Sequence, residues 1–348
     1  MTAAGRIGLR RRYFRCSACR LTAYPLDERV GLAGFLSPQA TRLACLAATT
    51  WSFDVAATRL EELAGVRIDD ETLRRHTHRA AAGLVQHRES VPPRADFDAA
   101  DGEFEFLTDG VMAPTRDGWR ELKLALFQVR PTGEPAEPAE WANRDLPAPT
   151  AAVAYAAVAD CEAFAAGWGP RAQGLGIDAA GPLTVLGDGA EWIWNAAAAR
   201  FPAADQLLDI FHASEHLAAA AKALHGEGTP EAADWLDRGR RALLADGWPG
   251  LLDHVGATLL PEVSAAGRAG VDAMVRYFAK HTGRLGYYGR LRAGRSIGSG
   301  AVEGLAKRMG RRLKVAGRGW RLESLEGMAA LVATVDTREW ESYWAHVA

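Results

Sequence analysis

The sequence predicts an α/β chain: a mixed sheet in which a three-stranded meander is extended by parallel strands, preceded by a helical module and interrupted late by a helical insertion. Three observations predict it. The hydrophobic period is two between about residues 104 and 129, strands and helices alternate from 183 to 224, and the stretches 37–86 and 226–282 carry helical periods without a strand pattern. With 348 residues, at ~150 per domain, about two domains are expected. A composition of 48% hydrophobic and 24% charged residues suits a chain with a sizeable core.

Residues 1–34 form an Arg-rich arm holding the pair Cys16 and Cys19, and residues 35–95 read as three short helices with tight joints. "SPQATRLACLAATT" opens on a Ser cap with Pro in its first turn, "SFDVAATRLEELAG" has a second Ser cap and ends at Gly65, and "DDETLRRHTHRAAAGL" opens on acids. Such a run reads as a helix-turn-helix-like module whose third helix offers Arg74, Arg75, His76 and His78 to a groove. "ESVPPRADFDAADG" is the linker to the sheet domain.

Within 97–225, "FEFLTDG" is a strand ending at Asp109, and "WRELKLALFQV" a half-buried strand alternating Leu122, Leu124 and Leu126 with Lys123. A third strand lies near "AAVAYAAVA", then a helix from Cys161 to Leu175, the strand "LTVLGD", the helix "AEWIWNAAAARF", the strand "QLLDIF" and the helix "ASEHLAAAAKAL". That order matches the ribonuclease H-like fold, in which strands one and four are parallel neighbours. Asp109 and Asp188 would then share one sheet edge, where open α/β folds gather ligands. Gly-Asp-Gly at 187–189 is also ordinary turn chemistry. Two such acids on adjoining strands, each followed by Gly so that a backbone or phosphate can approach, point to a site instead. Residues 226–284 form the helical insertion, and 285–340 carry a closing helix on which Glu303 heads a basic stripe of Lys307, Arg311, Lys314 and Arg318, with Arg312 beside it. Glu303 with Lys307 is equally the spacing of a plain helical ion pair.

Charge is concentrated at the ends. Residues 1–30 hold seven Arg against two acids, and 284–321 hold eleven Lys or Arg against Glu303 alone, although the whole chain carries only −2. Clustered cations of this kind suit a polyanion such as DNA. No apolar run approaches the ~18 residues of a membrane span. The start lacks a secretory pattern, so no membrane partner and a cytoplasmic, nucleoid-associated location are expected. Four cysteines with one close pair do not make a disulfide framework.

"TDGVMAPTRDGWRELKL", "VLGDGAEWIWN", "LDIFHASEHL" and "IGSGAVEGLAKR", in this order, resemble the DDE transposases of bacterial insertion sequences, most of all the ISKra-four family, related to Mutator-like transposases with an α-helical insertion. The resemblance covers about Arg11 to Glu339. It implies a ribonuclease H-like catalytic core, with Asp109, Asp188 and Glu303 binding two Mg²⁺ or Mn²⁺ ions for cleavage and strand transfer of double-stranded DNA, terminal inverted repeats and target alike, by a homo-oligomer. It also implies an Asp-x-x-His signature at Asp209 and His212, with His212 near the scissile phosphate, and DNA contacts by Arg74, Arg75, Lys307, Arg311, Arg312, Lys314 and Arg318. Relatives of this kind begin with two cysteine pairs in a zinc ribbon, whereas Cys16 and Cys19 are one pair, so Zn²⁺ is expected only if the ribbon is completed, and a misplaced start or a truncated copy would explain the departure. Two other classes are open. One is a catalytically inactive or domesticated DNA-binding derivative, and the other a zinc metallopeptidase using His212-x-x-Glu215-His216.

Overall fold

The computed structural model describes residues 1–3, 5–30, 32, 35–178, 181–258, 263–314, 319–335 and 337–347. Arg318 lies outside the described residues. The arm forms a small ribbon, β1 (Phe14–Arg15) and β2 (Thr22–Ala23), with Cys16 and Cys19 exposed in its turn, followed by α1 (Pro25–Arg29). The Cys19 N–H points at the Cys16 sulfur, and hydrogen bonds of this kind lower the Cys16 thiol from its ordinary value.

Three helices follow as their caps predict: α2 (Pro38–Thr50), α3 (Phe53–Ala64) and α4 (Asp70–Ser90). The Ser37 hydroxyl accepts the Ala40 N–H, the Asp69 carboxylate accepts the Thr72 N–H, and Gly65 ends α3 in the left-handed conformation that a Cβ would disfavour. The expected groove-facing histidines are corrected by burial. Leu73, His76, Thr77, Ala81 and Leu84 form the buried stripe of α4, so His76 faces the core. His78 is half-buried with its ring against Phe53 and Trp320. Arg74 and Arg75 remain on the outer side, Arg74 bonded to Glu71 at 2.7 Å.

After α5 (Arg94–Asp98), β3 (Glu103–Thr115) and β4 (Gly118–Arg130) form a long hairpin, joined by β5 (Ala151–Ala157). The predicted helix at 161–175 is two, α6 (Cys161–Ala166) and α7 (Trp168–Gly174), broken at Gly167. The rest of the unit is β6 (Thr184–Gly187), α8 (Glu191–Arg200), β7 (Asp205–Leu208) and α9 (Ile210–His225). The sheet order is β5-β4-β3-β6-β7, with β3, β6 and β7 mutually parallel. Strands one and four of the sheet are therefore neighbours, as expected.

Two strand expectations change. β3 does not end at Asp109 but runs six residues further, because β4 pairs with it to the hairpin tip after the shorter β6 has stopped. β4 is not half-buried: from Leu122 to Arg130 both faces are covered. On one face Phe106, Phe127, Trp168 and Phe201 pack ring on ring, with Phe106 4.7 Å from Phe127 and 4.6 Å from Trp168. On the other, polar groups go inside because they satisfy each other, Glu105 accepting from Gln128 and Arg130.

The chain then leaves the sheet through α10 (Pro230–Thr258), which breaks at Gly247, then α11 (Ala265–Ala279) and α12 (Tyr287–Arg292), and returns as α13 (Gly300–Leu313), α14 (Leu322–Thr334) and α15 (Arg338–Val347). The Arg290 guanidinium fastens the return, donating to both Glu103 oxygens at 2.8 Å at the start of β3. No helix among the described residues is long and apolar enough to cross a membrane.

α4 is tied to the last helix by Arg88, whose guanidinium bonds Glu339 at 2.9 and 3.1 Å over the Tyr155 ring. Both side chains are under a tenth exposed. Arg88→Ala strands a buried carboxylate and should cost about 3–5 kcal/mol in urea unfolding, whereas Arg88→Met with Glu339→Leu should recover most of it. Equal losses in the two variants would show that the pair's charge is not what matters.

Candidate functional site

The β3–β6 register builds the first half of the site. Leu107 pairs Leu186, so two residues on, Asp109 and Asp188 stand level where the parallel pairing ends. Asp109 faces the same side as Leu107 and Val111, and α13 packs on β3 there, carrying Glu303 in its first turn. The electrostatics confirm the proximity. Burial raises the Asp109 carboxyl above the ordinary aspartate range, and the charges of Asp188 and Glu303 push the same way, against the Gly110 N–H and His212.

Asp209 fixes the second half. "QLLDIF" is not a six-residue strand; β7 stops at Leu208 and Asp209 caps α9. Its fully buried carboxylate accepts the His212 backbone N–H at 3.0 Å, the His212 Nδ1–H at 2.7 Å and, through the other oxygen, the Ser299 N–H at 2.7 Å. Burial would raise this acid, but those donors outweigh burial and hold it below the usual range. His212 is raised to about 9, first by the Asp209 hydrogen bond, with the Asp209 and Asp188 charges adding to it. At neutral pH it is an imidazolium beside Asp109 and Asp188.

Each site acid also takes a local partner. Asp109 Oδ1 accepts the Gly110 N–H at 2.7 Å, Asp188 Oδ1 accepts the Ala190 N–H at 2.9 Å, and Glu303 Oε2 pairs with Lys307 at 3.3 Å. Among the described residues no three His, Cys, Asp or Glu side chains close to metal-ligand spacing. The three acids are thus brought into one electrostatic neighbourhood without converging on a point.

The glycines beside the acids do a different job from the one expected. The space a Cβ would take at Gly110 is filled by the Glu121 carboxylate, and that at Gly189 by the Tyr277 hydroxyl. Gly189 has φ 98°, so the position excludes other side chains on both counts. Tyr277, from the insertion, donates to the Asp188 carbonyl at 2.9 Å and stacks on His216 with ring centroids 3.5 Å apart. Sequence reasoning missed Tyr277, which lies near the end of α11 and has no local mark of its partner 89 positions away.

The basic stripe divides. Arg311 and Lys314 are exposed and Lys307 is paired to Glu303 but 69% exposed. Arg312 is not on that face. With Val302, Leu305 and Met309 it lies on the core side of α13, 3% exposed, its Nε donating to the Ala48 carbonyl. Its expected place beside the exposed stripe is corrected: it lies inside the fold.

A family model matches residues 177–344. It describes an uncharacterised protein family, UPF0236. The matched span contains Asp188, Asp209, His212, Tyr277 and Glu303, and begins after Asp109. No curated protein matches the chain.

The Asp209–His212 pair generates a pH test. His212 rises from 6.5 to about 9 on folding, so its contribution to stability is complete below pH 6.5 and is lost as pH climbs through about 9. The stability difference between wild type and His212→Gln should shrink steadily over that range in urea titrations. A flat difference would remove the ion pair. Asp209→Ala, which also strips the cap and the Ser299 anchor, should cost about 2–4 kcal/mol at neutral pH.

Proposed function

We propose that the chain is a metal-dependent DNA transposase of ribonuclease H-like fold, cleaving and joining DNA strands through Asp109, Asp188 and Glu303. One observation carries the reading: the register that sets Asp109 level with Asp188 on parallel neighbours, beneath the helix bearing Glu303. The donor set suits Mg²⁺ or Mn²⁺, being three carboxylates with hard oxygens, one of which, Asp109, is raised by burial and then by the charges of the other two. Asp109, Asp188 and Glu303 would hold the cations, which when bound activate water or a 3′-hydroxyl and stabilise the leaving oxygen.

The remaining roles belong to the chain itself. Asp209 positions His212, whose imidazolium donates a hydrogen bond to a phosphate oxygen and offers a proton to a leaving group. Tyr277 holds the Asp188 backbone. Arg311 and Lys314, with Arg74 and Arg75 on α4, present charge to the DNA backbone without reading sequence.

A second reading, a silent DNA-binding derivative, is favoured by the Glu303–Lys307 ion pair, which occupies the third acid. The peptidase reading gains nothing from the geometry, since His216, its second ligand, lies flat on Tyr277 and among the described residues no three His, Cys, Asp or Glu side chains gather for a metal.

Nicking and joining assays on the DNA flanking this gene, with Mg²⁺ or Mn²⁺, separate the two. Asp109→Ala, Asp188→Ala and Glu303→Ala should each abolish cleavage and leave DNA binding within about threefold, since none is a phosphate-binding cation. Cleavage surviving in one variant removes that residue from the site. Binding without cleavage in the wild type, with either metal, selects the silent derivative.

A further inference from the structure

The far end of α13 borders an open cavity of about 290 Å³ that the proposed chemistry does not use. It lies where the β3–β4 hairpin tip, the start of α3, α4 and the start of α14 meet. Among the described residues four arginines line it, Arg74, Arg116, Arg312 and Arg321, and no acid does. Arg74 has its own partner in Glu71.

The back wall is built around Arg312. Its guanidinium is clamped between Phe53 and Trp320, 5.0 and 5.2 Å from the ring centroids. It is 3% exposed, and although Nε serves the Ala48 carbonyl, Nη2 has no hydrogen-bond partner among the described residues. His78, in the same wall, has an unpartnered Nε2. Burial lowers Arg312 to about 10, and burial with the Arg74 and Arg312 charges lowers His78 to about 4. At neutral pH His78 is thus an uncharged imidazole, while Arg312 stays a cation whose burial is not offset by any described carboxylate. A third donor group adds to this: α14 begins at the rim with no side-chain cap, so its first N–H groups are open to a ligand.

A buried guanidinium N–H without an acceptor is costly, and planar guanidinium donors match tetrahedral oxyanions. We infer that this cavity binds one phosphate group, held by Arg312 at the back, Arg116 and Arg321 at the rim and the first turn of α14. The site stands whether or not the acid cluster cuts DNA. At 1.5 Å per residue, Arg312 lies about 13 Å along α13 from Glu303. A strand crossing the acids could therefore place a backbone phosphate here, and a small phosphate compound would meet the same donors.

The test compares the full chain with Arg116→Ala/Arg321→Ala, two exposed side chains whose loss spares the fold. Arg238→Ala/Arg241→Ala, on the exposed side of α10, controls for net charge. Thermal unfolding in inorganic phosphate against chloride at equal ionic strength should show a phosphate-specific rise in Tm for wild type and control. The rim variant should need roughly tenfold more phosphate for the same rise. No phosphate-specific rise, or an equal one in the rim variant, overturns the site. Given the rise, a labelled duplex identifies the source: several-fold weaker DNA binding by the rim variant than by the control assigns the site to backbone phosphate. Equal DNA binding assigns it to a small phosphate compound.

Discussion

The carboxylate of Asp209 is the point on which the site's geometry turns. It lies where a parallel strand stops, a helix starts and a distant segment returns, and it satisfies a backbone donor from one side and an imidazolium and a helix cap from the other. A neighbouring bond, from the Ile210 N–H to the Ile297 carbonyl, repeats the join. Between Ile210 and Ile297 the chain makes the whole of α10, α11 and α12. Loop closure costs only a logarithm of length, so a long excursion is tolerable provided its ends are pinned. Tyr287, donating to the Leu208 carbonyl, and Arg290 on Glu103 complete the pinning from the insertion's side. These bonds, together with the packing of α13 on β3, set the first turn of α13 and with it Glu303.

The same arrangement explains how three acids coexist. Burial, with the charges of Asp188 and Glu303 adding to it, raises Asp109, and the fold sets fixed positive groups beside the three acids: the His212 imidazolium, the Gly110 and Ala190 amides and Lys307. None of these neutralises the cluster outright. His212 is itself spoken for by Asp209, and Lys307 sits mostly in water, where an ion pair is worth little. The result is a site whose charge is held but not quenched, the state that the cations of the proposed function would meet.

How far this was legible in the sequence depended on whether a residue's role is set by its neighbours in the chain. Strand and helix order, the caps at Ser37 and Asp69, and the sheet order followed from period and punctuation, because those signals are local. The end of β3 was not, since its length is dictated by the partner strand. His76 and Arg312 were misplaced although their positions were readable: each falls on the apolar stripe of its own helix, at the spacing of Leu73 and Leu84 in one case and Val302, Leu305 and Met309 in the other. Residue type was allowed to outweigh periodicity. Tyr277 was invisible, because its hydrogen bond to Asp188 spans 89 positions and nothing near it in the chain marks the partner.

Counting charge along a segment also overstates what reaches the surface. The eleven cations between 284 and 321 suggest one broad basic face. In the fold, Arg290 is consumed by Glu103, Arg292 by Glu137, Arg284 by Gln206 and the Trp194 ring, and Arg312 by the core. Of the described cations, those on the outer side of α13 that the proposed function would offer to a polyanion are Lys307, Arg311 and Lys314, with Arg321 exposed beyond them at the start of α14. Under the proposed function, a stripe bounded by a charge cluster at one end and by arginine donors at the other would constrain the path of a strand more than a diffuse patch of the same net charge, because electrostatic attraction sets affinity while the spacing of fixed donors sets register.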